Sequence, residues 1–268
     1  MNITCVIEET TSGTSVPKLR KPDPQPIKSA MRTLALLEYF RRTKASAAVT
    51  EIAAALGMPQ SSTSVLLKSL VSLNYLEYEA DTRRFLPSYR VALLGDWIQR
   101  ARFGDKRMTD VMEQLQADTG ETVMLGQQIG VGLQYLHVVV PANQRIQFTV
   151  HIGEIRPMSR TGLGQVLLSS KSNNQVRAIV RRNNADEPDV PTHFRETALV
   201  QEIEAVRQRG FSETRGRTTP GANTIGMLVQ SSGKQSLLAI GIGGPIDRMD
   251  AKRQQIIDAL RRRLGMTP

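Results

Sequence analysis

The stretch that decides the fold runs from Thr50 to Arg84 and reads TEIAAALGMPQSSTSVLLKSLVSLNYLEYEADTRR. Apolar residues recur at helical spacing on both sides of Gly57. A glycine at this point ends one helix, and Pro59 suits the first turn of the next. Because so short a turn forces two helices to cross steeply, the stretch predicts a helix-turn-helix followed by a hairpin.

The second helix of this pair divides into two faces at about 100° per residue. The face expected to pack inward carries Thr63, Leu66, Leu67, Leu70 and Leu73. The opposite face is small and polar, so it can enter a major groove. There, serine hydroxyls can donate to phosphates or base edges, Lys68 can neutralise a phosphate, and Val65 can contact a thymine methyl. A plain solvated helix would show the same face, so this helix alone leaves both interpretations open.

The hairpin favours the DNA-binding interpretation. Residues 75–78 and 85–87 are predicted strands around Asp81 and Thr82. Arg83 and Arg84 then lie at or beside the tip, where a wing contacts a phosphate backbone or minor groove. The predicted DNA-binding residues are Gln60, Ser61, Ser62, Ser64, Val65, Lys68, Arg83 and Arg84.

Composition restricts the possible partners and compartment. The net charge is +10, and residues 26–103 hold eleven basic and six acidic side chains, which favours a polyanionic partner. No apolar run approaches the ~18 residues of a membrane span. The single cysteine, Cys5, can form neither an internal disulfide nor a metal cluster. We therefore expect a cytoplasmic protein without metal or cofactor.

The 268 residues suggest about two domains. Residues 1–25 are predicted to be a disordered tail, 26–90 a winged helix-turn-helix domain, and 91–104 a linker helix on which Trp97 is a core or interface residue. Residues 105–268 alternate strands and helices and predict a second domain of mixed α+β class. Strands are expected at 122–127, 133–140, 146–150, 211–213, 225–230 and 236–242, and the last helix at 250–264.

Several short motifs follow one another in a specific order. Residues 56–76 match a helix-turn-helix pattern without a gap, and residues 153–165 resemble a "G-x-x-L-P … A-x-G-K" segment. Residues 209–211 resemble an "R-G-Y/F" turn, and residues 240–245 an "I-S-I-S-G-P" strand end. From about residue 28 to 264 the chain thus resembles the IclR (isocitrate lyase regulator) family of bacterial transcription regulators.

The resemblance implies an α+β protein with an N-terminal winged helix-turn-helix, a linker helix and a C-terminal GAF-like mixed sheet domain. It also implies a homodimer or tetramer paired through the N-terminal modules, a double-stranded operator with an inverted repeat, and a small organic or aromatic acid as effector. The effector site is then expected at Met124, Leu125, Phe148, Arg156, Met158, Gly162, Leu163, Thr214, Thr224, Gly241 and Gly243.

Two features of that predicted site carry its chemistry. The segment from Thr161 to Gly164 enters a helix, and its N–H groups can bind an anion with help from the helix dipole, although its glycines can equally serve only a tight turn and close packing. Arg156 can clamp a carboxylate, although it can equally be a surface arginine. Relative to the family pattern, Gly241 and Gly243 replace serines; this removes hydroxyls, adds room, and favours a larger, partly apolar ligand.

Three functions remain open at this stage. The leading hypothesis is a ligand-responsive DNA-binding regulator, most often a repressor in such a family. An enzyme in residues 105–268 is the alternative, but His137, His151 and His193 form no cluster, and no catalytic cysteine or G-x-S-x-G sequence is present. A nucleoid-type protein that binds DNA without sequence choice is the third.

Overall fold

The chain forms two compact units, and the boundary between them falls between Leu94 and Gly95. The computed structural model describes residues 27–104, 107–142, 150–186, 195–216, 219–229 and 237–266. The predicted tail at 1–25 lies outside these residues, as does almost all of the strand expected at 146–150.

The first unit is a three-helix core with a two-stranded hairpin. Its elements are α1 (Lys28–Thr43), α2 (Val49–Leu56), α3 (Gln60–Ser72), β1 (Leu76–Glu79) and β2 (Arg84–Pro87), and α4 (Tyr89–Phe103) continues past the boundary between the units. Gly57 adopts a φ of 60° at the end of α2, which is the left-handed conformation that a glycine tolerates best. The turn thus ends α2 and allows α3 to start three residues later. The prediction of a winged helix-turn-helix is confirmed.

The core of this unit explains the orientation of α3. Leu36 and Phe40 of α1, Ile52 of α2, Leu67 of α3 and Phe85 of β2 pack together and are nearly inaccessible to solvent. Burial of each such side chain stabilises the folded state by about 1.5–3 kcal/mol. Ala47 also pairs with Phe85 through two backbone hydrogen bonds, so the hairpin is fixed to the segment before α2.

One residue of the expected inward face of α3 behaves differently. Thr63, Leu67 and Leu70 are buried, and Leu66 is half-buried against the core. Leu73 is instead 56% exposed, and it is the residue that caps the C-terminus of α3. Its φ and ψ leave the helical values there, so helical spacing no longer sets the direction of its side chain.

The second unit is a six-stranded sheet with a helical layer on each face. Its strands lie in the order β5-β4-β3-β8-β7-β6, and every neighbouring pair is antiparallel. The elements in chain order are α5 (Met108–Thr119), β3 (Thr122–Ile129), β4 (Gly132–Val139), β5 (Ile155–Pro157), α6 (Gly162–Ser169), α7 (Asn173–Asp186), α8 (Glu196–Arg209), β6 (Ser212–Arg215), β7 (Ala222–Val229), β8 (Leu238–Pro245), α9 (Ile246–Ala251) and α10 (Arg253–Leu264).

The sheet separates two hydrophobic clusters. Helices α5, α9 and α10 cover one face, and α6, α7 and α8 cover the other, which we call the α6 face. Because successive residues of a strand point to opposite faces, each central strand supplies both clusters. The α+β class predicted from the sequence is confirmed.

Two details depart from the sequence interpretation. The short strand β5 was not expected. The C-terminal helix is not continuous from Asp250 but breaks at Lys252, whose ammonium group donates to Thr119 O at 2.9 Å and Glu121 Oε1 at 3.3 Å. Glu121 is 1% exposed and also accepts two hydrogen bonds from Arg248, so the break fixes α9 and α10 to the start of β3.

None of the described helices combines the length and apolar character that a membrane span requires.

Candidate DNA-binding surface and effector site

The polar face of α3 is open to solvent. Gln60, Ser61, Val65 and Lys68 are exposed, with Val65 at 66%, while Ser62 and Ser64 are half-buried. Thus the residues that the sequence predicted to contact DNA lie together along the outside of one helix.

The serines of α3 fall into two groups. Ser69 Oγ donates to Val65 O at 2.9 Å and Ser72 Oγ to Ser69 O at 2.8 Å, so both hydroxyls are engaged with their own helix. The hydroxyls of Ser61 and Ser64, in the first two turns, have no hydrogen-bond partner among the described residues. Hydroxyls without an internal partner can donate to a phosphate or a base edge at no cost in protein hydrogen bonds.

The two arginines of the predicted wing have different environments. Arg83 is exposed at the tip with a φ of 56°, a conformation uncommon for a residue with a side chain. Arg84 lies in β2, where its guanidinium donates to Glu51 Oε2 at 2.7 Å and to Ser46 O at 2.8 Å. Arg83 thus lies on the surface without an ion pair to any described residue, whereas Arg84 links the hairpin to the start of α2.

Glu51 shows the electrostatic effect of that link. Its carboxylate accepts a hydrogen bond from Ala48 N–H at 3.0 Å, which caps α2, and it also pairs with Arg84. These two interactions, the backbone bond first, hold the pKa of Glu51 below its ordinary value. Glu51 therefore stays ionised and keeps Arg84 in place at neutral pH.

A further set of contacts, which sequence patterns did not reveal, joins the end of α3 to the start of α4. Arg90 Nη1 donates to Leu73 O at 3.3 Å, and its guanidinium lies 4.8 Å from the ring centroid of Tyr75. Ser88 Oγ donates to Asn74 O at 2.6 Å. These contacts fasten the start of α4 to the end of α3.

Most of the predicted effector residues converge on the α6 face of the sheet. Met124, Met158 and Leu163 belong to one buried cluster. Thr224 is the direct cross-strand partner of both Thr214 and Gly243, and Met124 is the partner of Gly241. Cross-strand partners share a face, so these residues lie side by side under α6.

Leu125 and Phe148 are the exceptions. Leu125 packs with α5 and α10 on the opposite face because it follows Met124 directly in β3 and successive side chains of a strand alternate. The structure thus does not bring Leu125 together with the other predicted effector residues. Phe148 lies outside the described residues.

The N-terminus of α6 lies directly on the sheet. Thr161 caps it, with Oγ1 accepting from Gly164 N at 3.1 Å, and Ser212 Oγ donates to Gly162 O at 2.7 Å. A Cβ placed on Gly162 would lie 3.0 Å from Thr224 Cγ2, so any other residue here would require Thr224 to shift by a few tenths of an ångström. The first turn carries N–H groups without intrahelical partners and the positive end of the helix dipole, which together suit a carboxylate.

The space that the sequence attributed to Gly241 is occupied. A Cβ on Gly241 would overlap Leu163 Cδ1 and lie 3.3 Å from Leu163 Cγ. The glycine therefore makes room for a leucine of the protein itself.

Arg156 is already paired within the protein. Its Nε donates to Glu154 Oε1 at 2.6 Å, and its guanidinium lies 5.8 Å from the ring centroid of Tyr135. Burial alone raises the pKa of Glu154, but a backbone hydrogen bond from His151 and the Arg156 guanidinium outweigh it and hold the pKa below its ordinary value. A ligand carboxylate at Arg156 must therefore compete with Glu154.

Several buried polar groups on or near the α6 face were not found from the sequence. Tyr135 is 3% exposed, and burial raises its pKa to about 12, so its hydroxyl stays protonated. Gln165 and Ser159 are buried, and neither the Gln165 amide nor the Ser159 hydroxyl has a hydrogen-bond partner in the described part of the chain. Helical spacing marks Gln165 only as a core position, and no sequence motif singles out Tyr135 in β4 or Ser159 in the turn before α6.

A separate cleft of about 350 Å³ lies at the far end of α6. It is lined by Gln128, Gly130, Leu167, Ser170, Lys171 and Leu237. None of the predicted effector residues lines it, so this cleft and the predicted site are different places on the second unit.

The basic residues of α10 are largely engaged internally. Arg263 donates to both carboxylate oxygens of Asp118 at 3.0 and 3.1 Å, and Arg253 donates to Glu213 at 2.9 Å. These contacts attach α10 to α5 and β6.

Comparison with known families decides the identity of the fold. The chain matches the description "Bacterial transcriptional regulator IclR C-terminal" over residues 105–263, more than half its length, and the "IclR helix-turn-helix domain" over residues 29–80. The chain belongs to the IclR family. It is thus a DNA-binding transcription regulator, and the resemblance noted in the sequence is confirmed.

Individual IclR-family proteins are distant relatives of this chain. The acetate operon repressor of Salmonella typhimurium is 23% identical over 235 residues, covering 87% of this chain and 86% of the relative. The transcriptional repressor IclR of Escherichia coli is 23% identical over 232 residues, covering 85% and 83%.

Solved structures agree with the fold. The IclR regulator of Alicyclobacillus acidocaldarius has a TM-score of 0.59 at 19% identity, covering 90% of this chain and 97% of that one. The Thermotoga maritima IclR has a TM-score of 0.59 at 19% identity, covering 88% and 96%.

Proposed function

We propose that this IclR-family protein is a repressor whose affinity for a DNA operator changes when a small organic or aromatic acid binds. In this proposal residues 26–90 bind DNA, 91–104 form the linker helix, and 105–268 bind the effector. The names of two relatives, an acetate operon repressor and the transcriptional repressor IclR, support repression as the sign of regulation.

The exposed face of α3 is the single observation that carries the DNA-binding part. Ser61, Ser64 and Lys68 lie on a helix whose other side is held by a buried core. A short helix with small exposed side chains can enter a major groove, and the free cation Arg83 at the wing tip can add a phosphate contact. Gln60, Ser62, Val65 and Arg84 complete the proposed interface.

The effector part rests on the N-terminus of α6. A carboxylate there would accept from backbone N–H groups near Gly162, with Thr224 and Thr214 on the strands below. Met124 and Met158 supply apolar walls, which is typical of small-molecule sites. Arg156 is a second candidate cation, provided that the ligand displaces Glu154.

The proposed switch is a shift between two arrangements of α4. An effector that binds one arrangement of α4 more tightly than the other shifts the equilibrium toward that arrangement. The shift, and with it the change in operator affinity, is limited by the difference between the effector's affinities for the two arrangements. The contacts of Arg90 and Ser88 with the end of α3 make any movement of the first turn of α4 a movement of the DNA-binding helix.

A second copy of the chain is the proposed protein partner. Tyr89, Leu93 and Trp97 of α4 follow one another at intervals of four residues and are 76%, 53% and 66% exposed. Apolar stripes of this kind are unusual on a free surface and mark association sites. Size-exclusion chromatography with light scattering should show a dimer or tetramer that Trp97→Asp converts to smaller species.

The decisive experiment begins with selection of an operator from random duplexes. Fluorescence anisotropy at fixed salt then compares that operator with a scrambled duplex and repeats the measurement with aliphatic and aromatic acids. We expect strong preference for the selected duplex and a change with at least one acid. Equal affinity for both duplexes would instead indicate a nucleoid-type protein.

The variant Arg156→Ala separates the two parts of the proposal. It should abolish the response to the acid and leave operator affinity unchanged, since Arg156 lies in the second unit. An intact response in this variant would remove Arg156 from the effector site.

A further inference from the structure

Leu163 and two glycines of the sheet fit one another on the α6 face. Leu163 is fully buried in the first turn of α6. A Cβ on Gly241 of β8 would overlap its Cδ1, and a Cβ on Gly126 of β3 would lie 3.3 Å from its Cδ2. The two glycines are diagonal neighbours on adjacent strands, so together they leave a hollow that the leucine fills.

Backbone conformation does not explain these glycines. Neither Gly126 nor Gly241 has the positive φ that excludes other residues, in contrast to Gly57 or Gly120. Gly126 also lies close to Leu133, so it has a second steric reason to lack a side chain. The side chain nearest to Gly241 is that of Leu163. A large residue on the helix therefore packs where the sheet lacks a side chain.

We infer that Leu163 determines the size of ligand that the effector site accepts. The inference rests on the proposed binding of a carboxylate at the N-terminus of α6. Leu163 is the second residue of that helix, and its side chain lies against Gly241 of the sheet. An acid bound at the helix N-terminus would therefore meet this side chain wherever its carbon skeleton extended toward Gly241. The site then takes compact acids, whose carbon skeleton does not extend toward Gly241.

Truncation of Leu163 should change that selection in a defined way. Leu163→Ala removes about three carbon atoms and leaves the hollow over Gly126 and Gly241 empty, because a packed site relaxes only partially. The variant should therefore accept a longer or bulkier acid in the vacated space. Leu168→Ala is the matched control, since Leu168 is equally buried on the same helix but lies about 140° around it from Leu163.

The first experiment measures binding of acetate, butyrate, hexanoate and benzoate to the full-length chain by calorimetry. We expect Leu163→Ala to bind hexanoate or benzoate about tenfold more tightly than the wild type, which is within the range that pocket size alone can produce. Leu168→Ala should keep the wild-type order of affinities. The same order in wild type and Leu163→Ala, or an equal change in Leu168→Ala, overturns the inference.

A second experiment distinguishes this inference from the proposed carboxylate site. If none of the acids binds any variant, the carboxylate site fails, and benzene then probes the hollow without an anion site. Leu163→Ala should bind benzene, and Leu163→Ala/Gly241→Ala should bind it about tenfold more weakly because the added methyl refills the space. Absence of benzene binding, or binding that ignores Gly241→Ala, overturns the size role of Leu163. If Leu163→Ala does not fold, Leu163→Val should show the same order with smaller changes.

Discussion

Helices α3 and α6 are the helices to which we assign function in their units, yet they present opposite surfaces. Helix α3 exposes Ser61, Val65 and Lys68 to solvent, whereas residues 162–168 of α6 are all buried. The first helix would act through side chains that a partner can reach. The second would act through its N–H groups and through the space that its side chains leave.

The difference decides what substitutions do to each helix. An exposed side chain contributes little to folding, so a change on α3 can alter DNA binding alone. A buried side chain on α6 is part of the core, and any change there alters packing and ligand space together.

Gly164→Ala should cost about 3 kcal/mol or more of unfolding free energy, because its Cβ would overlap Met158 O and lie 2.6 Å from Met158 Cα. Backbone atoms cannot move aside as a side-chain end can. Gly95→Ala on α4 is the matched control: no atom lies within 4 Å of its Cβ, so the helix should gain about 0.5–1 kcal/mol. Val65→Ala on α3 should change stability by less than about 0.5 kcal/mol. Urea denaturation measures the unfolding free energy of all three variants. A Gly164→Ala variant as stable as the wild type would contradict the packing of α6.

The contrast also explains what the sequence could reveal. The turn at Gly57 and the alternation of Thr63, Leu67 and Leu70 with serines fix both the position and the outer face of α3, because periodicity reports burial directly. On α6, Leu163 and Gln165 are both buried, so periodicity carries no information about which of them faces the sheet. Short motifs pointed to the N-terminus of α6, but they could not show that Leu163 takes the space of Gly241. That required the register of β3 against β8.

Arg84 gives a second example of this limit. Its position next to Arg83 in the sequence predicts the same role for both. Alternation within β2 and the pairing of Ala47 with Phe85 instead direct Arg84 toward Glu51, 33 residues earlier. Contacts between residues so distant in the chain are set by the tertiary fold, and no local pattern encodes them.

Gly241→Ala and Leu163→Ala should compensate one another. Gly241→Ala alone overpacks the α6 face and should cost about 1–3 kcal/mol. In the Leu163→Ala background the added methyl enters empty space, so the same change should be neutral or favourable. A double-mutant cycle from urea denaturation should give a coupling of about 1–3 kcal/mol, and additive effects would separate Leu163 from Gly241.

Lys68→Ala and Arg83→Ala should each weaken DNA binding without destabilising the protein. If each residue contacts one phosphate, the slope of log affinity against log salt falls by roughly one, and affinity at ~0.1 M salt falls roughly tenfold. Anisotropy titrations at several salt concentrations measure both quantities.

Arg84→Ala is the informative companion of these variants. If Arg84 only holds the hairpin against Glu51, the slope stays at the wild-type value, and Glu51→Gln should reproduce the loss of affinity. A slope reduced by about one in Arg84→Ala would instead confirm the phosphate contact predicted from the sequence.

The smallest effect concerns Glu213, on the sheet face opposite α6. Burial alone raises the pKa of Glu213, but hydrogen bonds from Arg253 at 2.9 Å and Asn223 at 3.3 Å outweigh it, so the pKa lies below the ordinary value of 4.5. A carboxylate whose folded pKa is lowered stabilises the protein above its unfolded pKa, and this contribution is lost as pH falls through the folded pKa. Glu213→Gln should therefore lower Tm slightly at pH 7 and reduce the further loss of Tm below pH ~4.5. A Glu213→Gln curve parallel to the wild type from pH ~6 to ~3 would show that the pair with Arg253 is too solvated to contribute to stability.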